Sequence, residues 1–197
     1  MARQFAVTWD YRCPFARNAH EALIKGLQDG RDWDVRFWPF SLDQVHVEEG
    51  ETPVWQRSLD EKTGMSGVRA LLWGIAVRDA FPDRFLDFHL NVFRARHDEG
   101  KKIAEEPVLR EVAAAVGLDA DAVAEEVASG RPLKALEEEH TEAVDRHAVF
   151  GVPTIIEGEE AVFVRLMERG NVDDLAHALD LVGSTRLNEF KRTKIPR

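Results

Sequence analysis

Cys13 is the only cysteine in the 197-residue chain, and its neighbours suit a reactive thiol. It stands in Thr8-Trp9-Asp10-Tyr11-Arg12-Cys13-Pro14-Phe15-Ala16, between an apolar strand-like run and a helical pattern. A thiol at a helix start meets free N–H groups and the positive end of the helix dipole, and both favour the thiolate. Arg12 would favour the thiolate further and Asp10 would oppose it. With no second cysteine, an internal disulfide cannot close. Thiol chemistry must then pass through an adduct with another molecule, formed by attack on a disulfide or a small electrophile.

Gly151-Val152-Pro153-Thr154-Ile155-Ile156 is the second chemically suggestive run. A proline between a glycine turn and an apolar strand predicts a tight X-Pro corner of the cis type. His147 falls just before it, and a histidine facing the site would serve as acid or base. Trp9, Tyr11, Phe15 and Trp38 are candidate apolar walls near the sulfur, although Trp9 and Trp38 suit the core equally well. Phe15, directly after the Cys13-Pro14 pair, is the one expected at the surface of the site. His140 and His147 share a helical face, but two turns is too wide for an i, i+4 metal grip. His89 lies on an apolar stripe and reads as a core residue. Glu137-Glu138-Glu139 reads as a solvated helix edge. We find no zinc spacing, no phosphate-binding glycine loop and no Ser/His/Asp arrangement, so no metal is expected.

These residues must be held by regular elements. Phe5 to Trp9 reads as a strand buried on both faces. Pro14 fits the first helical turn, where its missing N–H costs nothing. Ala16, Ala19, Leu23 and Leu27 continue that helix to Asp29-Gly30. Val35 to Phe40 predicts a second strand, with Pro39 near the sheet edge. Residues 41–63 read as an acidic, irregular connection. A helical block follows, with stripes Val68, Leu71, Leu72, Ile75, Ala76, then Phe85, Phe88, His89, Val92, Phe93. A third helix opens at Pro107 with Val108, Val112 and Val116 inward. A short one covers Ala120–Ala128. The last opens at Pro132 with Leu133, Leu136, His140, Ala143, Val144 and His147 on one face. Thr154 to Ile156 and Ala161 to Val164 predict a hairpin about Gly158. Asn171 caps a final helix that stops at Gly183.

The composition is that of an ordinary globular chain, 44% hydrophobic and 31% charged, with a formal net charge of −10. That acidity argues against nucleic acid as the partner. No apolar run approaches the roughly 18 residues of a membrane span, and Met1 to Gln4 shows no signal-peptide pattern. One cysteine and no signal pattern make a reducing cytoplasm the expected compartment. The element order is strand, helix, strand, helical block, strand, strand, helix. A parallel first pair needs a crossover, and the closing pair fits a hairpin. The expected fold is therefore α/β, a four-stranded mixed sheet with flanking helices and an inserted all-helical subdomain. Residues 1–62 and 148–197 form the sheet domain and residues 63–147 the insertion.

Cys13-Pro14-Phe15-Ala16, the helical block and Gly151-Val152-Pro153-Thr154 together resemble the DsbA-like branch of the thioredoxin superfamily, across roughly residues 3–183. The resemblance implies a thioredoxin-like fold. It also implies that Cys13 is the nucleophile of a Cys-x-x-Cys motif and that Val152 and Pro153 form the cis-proline loop where substrate docks. Ala16 departs from the pattern, because disulfide-making members carry their resolving cysteine there. The tail Leu187-Asn188-Glu189-Phe190-Lys191-Arg192-Thr193 is similar to that of the mycothiol-dependent nitroreductase group. The expected activity is a monothiol oxidoreductase or thiol transferase with catalytic Cys13. Pro14, Phe15, Val152, Pro153, His147 and Trp9 are expected to contact substrate. Mycothiol or glutathione is the expected co-substrate, a small disulfide or electrophile the substrate, and no cofactor is tightly bound; a homodimer is left open. Two other readings stand beside it. Kappa-class glutathione transferases and chromene-carboxylate isomerases share this fold and bind a small thiol without a covalent adduct, usually with serine at the position of Cys13. A non-catalytic binding module that has lost its redox pair is the third.

Overall fold

The computed structural model describes residues 1–59 and 67–193. Strand β1 (Arg3–Trp9) runs into helix α1 (Pro14–Gln28) and then β2 (Trp33–Pro39). β1 and β2 pair in parallel, from Arg3 opposite Trp33 to Trp9 opposite Pro39. From Phe5 onward β1 is buried without alternation, as a central strand covered on both faces must be. Pro14 sits in the first turn of α1, as expected. Asp29 caps its other end, and Gly30 turns the chain with φ +81°.

The stretch after β2 is more regular than its composition suggests. Ser41 caps a four-residue helix α2 (Leu42–Val45) by accepting the Gln44 N–H, and Val54–Gln56 forms a single 3-10 turn. The expected domain boundary at residues 62–63 lies outside the described residues, as does the end of the 41–63 connection.

Among the described residues, five longer helices follow α2 before β3: α3 (Val68–Ala80), α4 (Pro82–His97), α5 (Glu106–Ala115), α6 (Ala120–Ala128) and α7 (Arg131–His147). α3 corrects the stripe expected of it. Ala70, Trp73, Gly74 and Val77 are as buried as Val68 and Leu71, because α4, α6 and α7 pack around it. On α5 Leu109, Val112 and Ala113 are buried, and Val108 and Val116 pack against the core partly buried. Val144 of α7 is exposed, whereas Leu136, His140 and Ala143 face the core. Glu139 is not a solvated edge. It pairs with Arg78 at 2.6 Å, and Arg78 also donates to the Phe37 carbonyl at 2.9 Å. That arginine therefore ties α3 to β2 and α7.

α7 ends on Ala148, whose φ of 50° is left-handed, a conformation costing a non-glycine residue roughly 1 kcal/mol. The Ala148 and Val149 N–H groups bond back to Val144 and Ala143, closing the helix end. The chain then turns through residues 149–153 into β3 (Thr154–Glu157), which pairs antiparallel with β1, Ala6 opposite Ile156. β4 (Glu160–Phe163) completes the hairpin. The sheet order is β2-β1-β3-β4, placing β2 and Pro39 at an edge. Helix α8 (Val172–Val182) packs on α1, β3 and β4, with Asn171 as its cap and Gly183 at its end. Among the described residues no helix is long and apolar enough to cross a membrane.

Candidate active site

Cys13 is the N-cap residue of α1. Its sulfur accepts the Ala16 N–H at 3.4 Å and donates to the Val152 carbonyl at 3.2 Å. The Val152–Pro153 peptide is cis. The two suggestive runs of the sequence therefore meet at one atom, although 139 residues separate them. Cys13 is 9% exposed and Val152 3%, so Sγ is the recessed floor of the site rather than a projecting group. Ala16 is fully buried behind it.

Electrostatics at the sulfur differ from the sequence expectation. Burial pushes the Cys13 thiol up from its ordinary value. The Ala16 and Phe15 N–H groups pull it down, and so does the Arg165 cation, while Asp10 adds to burial. The helix-start effect is thus present, but desolvation exceeds it and the resting thiol is protonated. Arg12, expected to help the thiolate, is committed elsewhere. It pairs with Asp43 at 2.6 Å and Asp10 at 3.4 Å. Iodoacetamide alkylation of the folded protein should therefore rise with pH through a midpoint above that of the same thiol in urea. A folded midpoint below the denatured one would show a poised thiolate and overturn this balance.

The loop that presents Cys13 is tied down on every side. The buried Asp10 accepts the Arg12 and Leu42 N–H groups, both at 2.9 Å, and its carbonyl accepts the Cys13 N–H at 3.0 Å. Asp43 accepts the Gly67 N–H at 3.0 Å. His97 donates to the Tyr11 carbonyl at 2.8 Å. Thr8 Oγ1 accepts the Thr154 N–H at 2.8 Å, which fixes the proline corner to β1.

Beneath the loop runs a buried chain that the sequence did not disclose. Tyr11 Oη lies 2.8 Å from His89 Nδ1, His89 Nε2 lies 3.0 Å from His20 Nδ1, and His20 Nε2 lies 3.3 Å from the Thr8 carbonyl. All four residues are fully buried. A carbonyl only accepts, so His20 carries its proton on Nε2. His20 Nδ1 then accepts from His89 Nε2–H, and His89 Nδ1 accepts from the tyrosine hydroxyl. One end fixes every proton. His89 is the core residue expected, but its partners come from β1, α1 and the Cys13 loop, and no local spacing signals them.

Trp9 and His147 correct the expected substrate contacts. Trp9 is fully buried, edge-on to His89 at 5.2 Å and to Tyr11 at 6.4 Å, so it forms core behind the site. Tyr11 and Trp38 are buried as well. His147 packs edge-on against Trp38 at 5.7 Å and lines a shallow groove with Gln4, Arg36 and Arg146 that does not include Cys13. It ends α7 rather than following the chain into the corner. Phe15, two residues after Cys13, is partly exposed, and Pro14 is exposed. Phe150, 67% exposed, packs on Phe163, and both rings adjoin the Gly151–Pro153 corner. Neither Phe150, Phe163 nor Arg165 was singled out from the sequence. Among the described residues no group of three His, Cys, Asp or Glu side chains is placed to hold a metal.

A mixed four-stranded sheet, with a cysteine capping the helix after β1 and facing a cis X-Pro corner, defines a thioredoxin-like protein. The sequence profile of the DSBA-like thioredoxin domain matches residues 6–180, and the chain belongs to that family. Solved structures of similar fold include a 2-hydroxychromene-2-carboxylate isomerase, at TM-score 0.66 and 19% identity, covering 93% of this chain and 97% of that one. The cytosolic disulfide reductase DsbM from Pseudomonas aeruginosa, solved with GSH, matches at TM-score 0.62 and 19% identity, covering 93% and 100%. BdbD from Bacillus subtilis matches at TM-score 0.62 and 15% identity, covering 91% and 86%. No curated protein matches the chain in sequence.

Proposed function

We propose that the protein is a thiol oxidoreductase or thiol transferase that works through Cys13 alone, with a small external thiol as co-substrate. The observation that carries this reading is the placement of the only thiol. It caps α1 beside the Val152–Pro153 corner, with alanine at the motif position of a resolving cysteine. In the first step Cys13 loses its proton and attacks a disulfide. A Cys13–sulfur bond forms, the substrate S–S bond breaks, and the leaving thiolate takes up a proton. A small thiol then attacks the mixed disulfide, restoring Cys13 and leaving as a new disulfide. A ligand that pairs with the Val152 backbone removes the acceptor that holds the thiol protonated, which lowers the thiol pKa when substrate is present. Glutathione and mycothiol are the small thiols proposed, and their reduced pools belong to the cytoplasm. The tail from Leu187 to Thr193 supports mycothiol by resemblance alone, and DsbM solved with GSH supports glutathione by fold likeness.

The protonated resting thiol favours a second reading. Cys13 S–H would donate a hydrogen bond to a bound small thiolate and never form an adduct, as an isomerase or transferase of this fold would use it. Intact mass after exposure to glutathione disulfide or mycothiol disulfide separates the two, together with thiol-dependent turnover of hydroxyethyl disulfide. Cys13→Ser should abolish adduct and turnover under the first reading. Adduct-free wild type with glutathione-dependent activity retained in Cys13→Ser establishes the second. Neither adduct nor turnover in wild type would leave a binding module.

A further inference from the structure

Val164 extends the hairpin past β4 by donating its N–H to the Pro153 carbonyl at 3.1 Å. The next residue, Arg165, is exposed. Its guanidinium carbon lies 5.2 Å from the centre of the Phe15 ring and 5.4 Å from that of Phe163. Phe15 stands two residues after Cys13. A Cβ on Gly151 would lie 3.2 Å from the Phe163 ring. One ring therefore belongs to the helix that Cys13 caps, the other ends β4 against the proline corner, and the cation bridges them at the mouth of the recess.

Among the described residues Arg165 is held by these rings and by nothing anionic. Among the described residues no carboxylate or carbonyl is placed to accept from its guanidinium. Arg169, four residues on, shows the contrast, gripping Glu21 at 2.6 Å and Asp98 at 3.0 Å. A cation–π contact with a ring takes up none of the guanidinium N–H groups, so the fork that matches a carboxylate stays unused. The chain has a net charge of −10, so a small anion is repelled by the protein as a whole. A free arginine at the thiol reverses that sign locally.

We propose that Arg165 is the carboxylate-recognition residue of the Cys13 site, and that its reaction partners are small molecules pairing a carboxylate with an apolar or aromatic body. The proposal rests on Cys13 reacting covalently, as argued above. The carboxylate belongs either to the disulfide substrate or to the resolving thiol. Among the two thiols considered, glutathione carries carboxylates and mycothiol carries none.

The test uses two aromatic disulfides: dithiobis(nitrobenzoate), with a carboxylate on each ring, and dithiodipyridine, which is neutral. Both report attack by the only cysteine through a coloured leaving thiol. Taking the ratio of their rates cancels any change in thiolate fraction. Arg165→Met should lower that ratio by roughly fivefold, the worth of an ion pair at a solvent-open site. Arg31→Met, which removes a cation paired with Asp173 at the other end of the sheet, should leave the ratio unchanged. Release of the neutral pyridyl adduct by glutathione and by its ethyl ester forms a second arm. An Arg165 effect confined to the disulfides places the carboxylate on the substrate, and one seen with glutathione but not its ester places it on the thiol. If neither arm responds to Arg165→Met, or Arg31→Met lowers the ratio equally, the proposal fails while covalent reactivity stands. If Cys13 reacts with neither disulfide, both fall together.

Discussion

The free energy of unfolding should drop steeply as the pH falls from about 6.5 towards 4. Burial holds His20 at a pKa of about 4, with the Thr8 carbonyl pulling weakly the other way. His140, stacked on Phe40 at 4.3 Å and accepting the Ser41 N–H, is also held near 4 by burial. His89 is pushed well below its ordinary value by burial, and then by His20 and Arg78. Between pH 6.5 and 4 the unfolded chain binds protons at these sites and the folded chain does not. Stability is therefore complete above about 6.5 and declines as the pH falls through that window. Each of His20 and His140 contributes about 1.4 kcal/mol per pH unit there, or about 3 kcal/mol across it. Burial lowers His97 as well, and Asp43, whose carboxyl burial raises, works in the opposite direction as one group against these four. Since domains of this size hold about 5–15 kcal/mol in all, acid should bring the protein close to unfolding before most carboxylates protonate. Urea midpoints measured from pH 7.5 to 4.5 check this. A midpoint flat between pH 7 and 5 would mean that these histidines are not kept neutral by the fold.

Gly74→Ala should destabilise the protein by roughly 3 kcal/mol and lower Tm by about 10 °C. On propensity alone the change is favourable, since Gly74 lies inside α3 and alanine gains about 1 kcal/mol in a helix. The added Cβ, however, runs into the Tyr11 hydroxyl, with Tyr11 Cε2 at 2.9 Å. Tyr11 cannot swing away, because it is fully buried and bonded to His89. Overpacking costs about 1–3 kcal/mol, and breaking the bond to His89 strands buried polar atoms at a similar cost. The clash therefore exceeds the helical gain. Tyr11→Phe removes the colliding oxygen, so the double variant should be less destabilised than the sum of the two changes. A Gly74→Ala protein as stable as wild type would show that the tyrosine has room to shift. The same variant should alter Cys13 alkylation, since Tyr11 anchors the loop two residues before the thiol.

Sequence reached furthest where local chemistry decides structure. Pro14 at the start of α1, Asn171 at the start of α8 and Gly158 in the hairpin each act within one turn of chain, and each is found where it was expected. The pairing of Cys13 with residues 151–154 was legible only through resemblance, because no periodicity links positions so far apart. What stayed hidden was decided by tertiary packing. α3 reads as a one-sided helix, yet it lies at the centre of the helical block. Trp9 reads as either wall or core, and only the helices stacked over it choose between them. The thiol carried two opposing influences, a helix start visible in sequence and a burial that is not. The Tyr11–His89–His20 chain joins residues from three elements, and Arg165 meets Phe15 at the start of α1 only because β4 returns beside the proline corner.

The helical stretch between β2 and β3 separates the two halves of the reactive corner by more than half the chain. A nascent or refolding molecule can form β1, α1 and β2 as a local unit, with Cys13 already at its helix start but with no Val152 above it. Closing a loop of that length is entropically slow, and the contact completes only when β3 docks. Until then the thiol is uncovered, and afterwards it is recessed and protonated. Chemical shelter of the sulfur is thus a late product of folding, and a chain that stalls before docking carries its single thiol open to any oxidant or electrophile it meets.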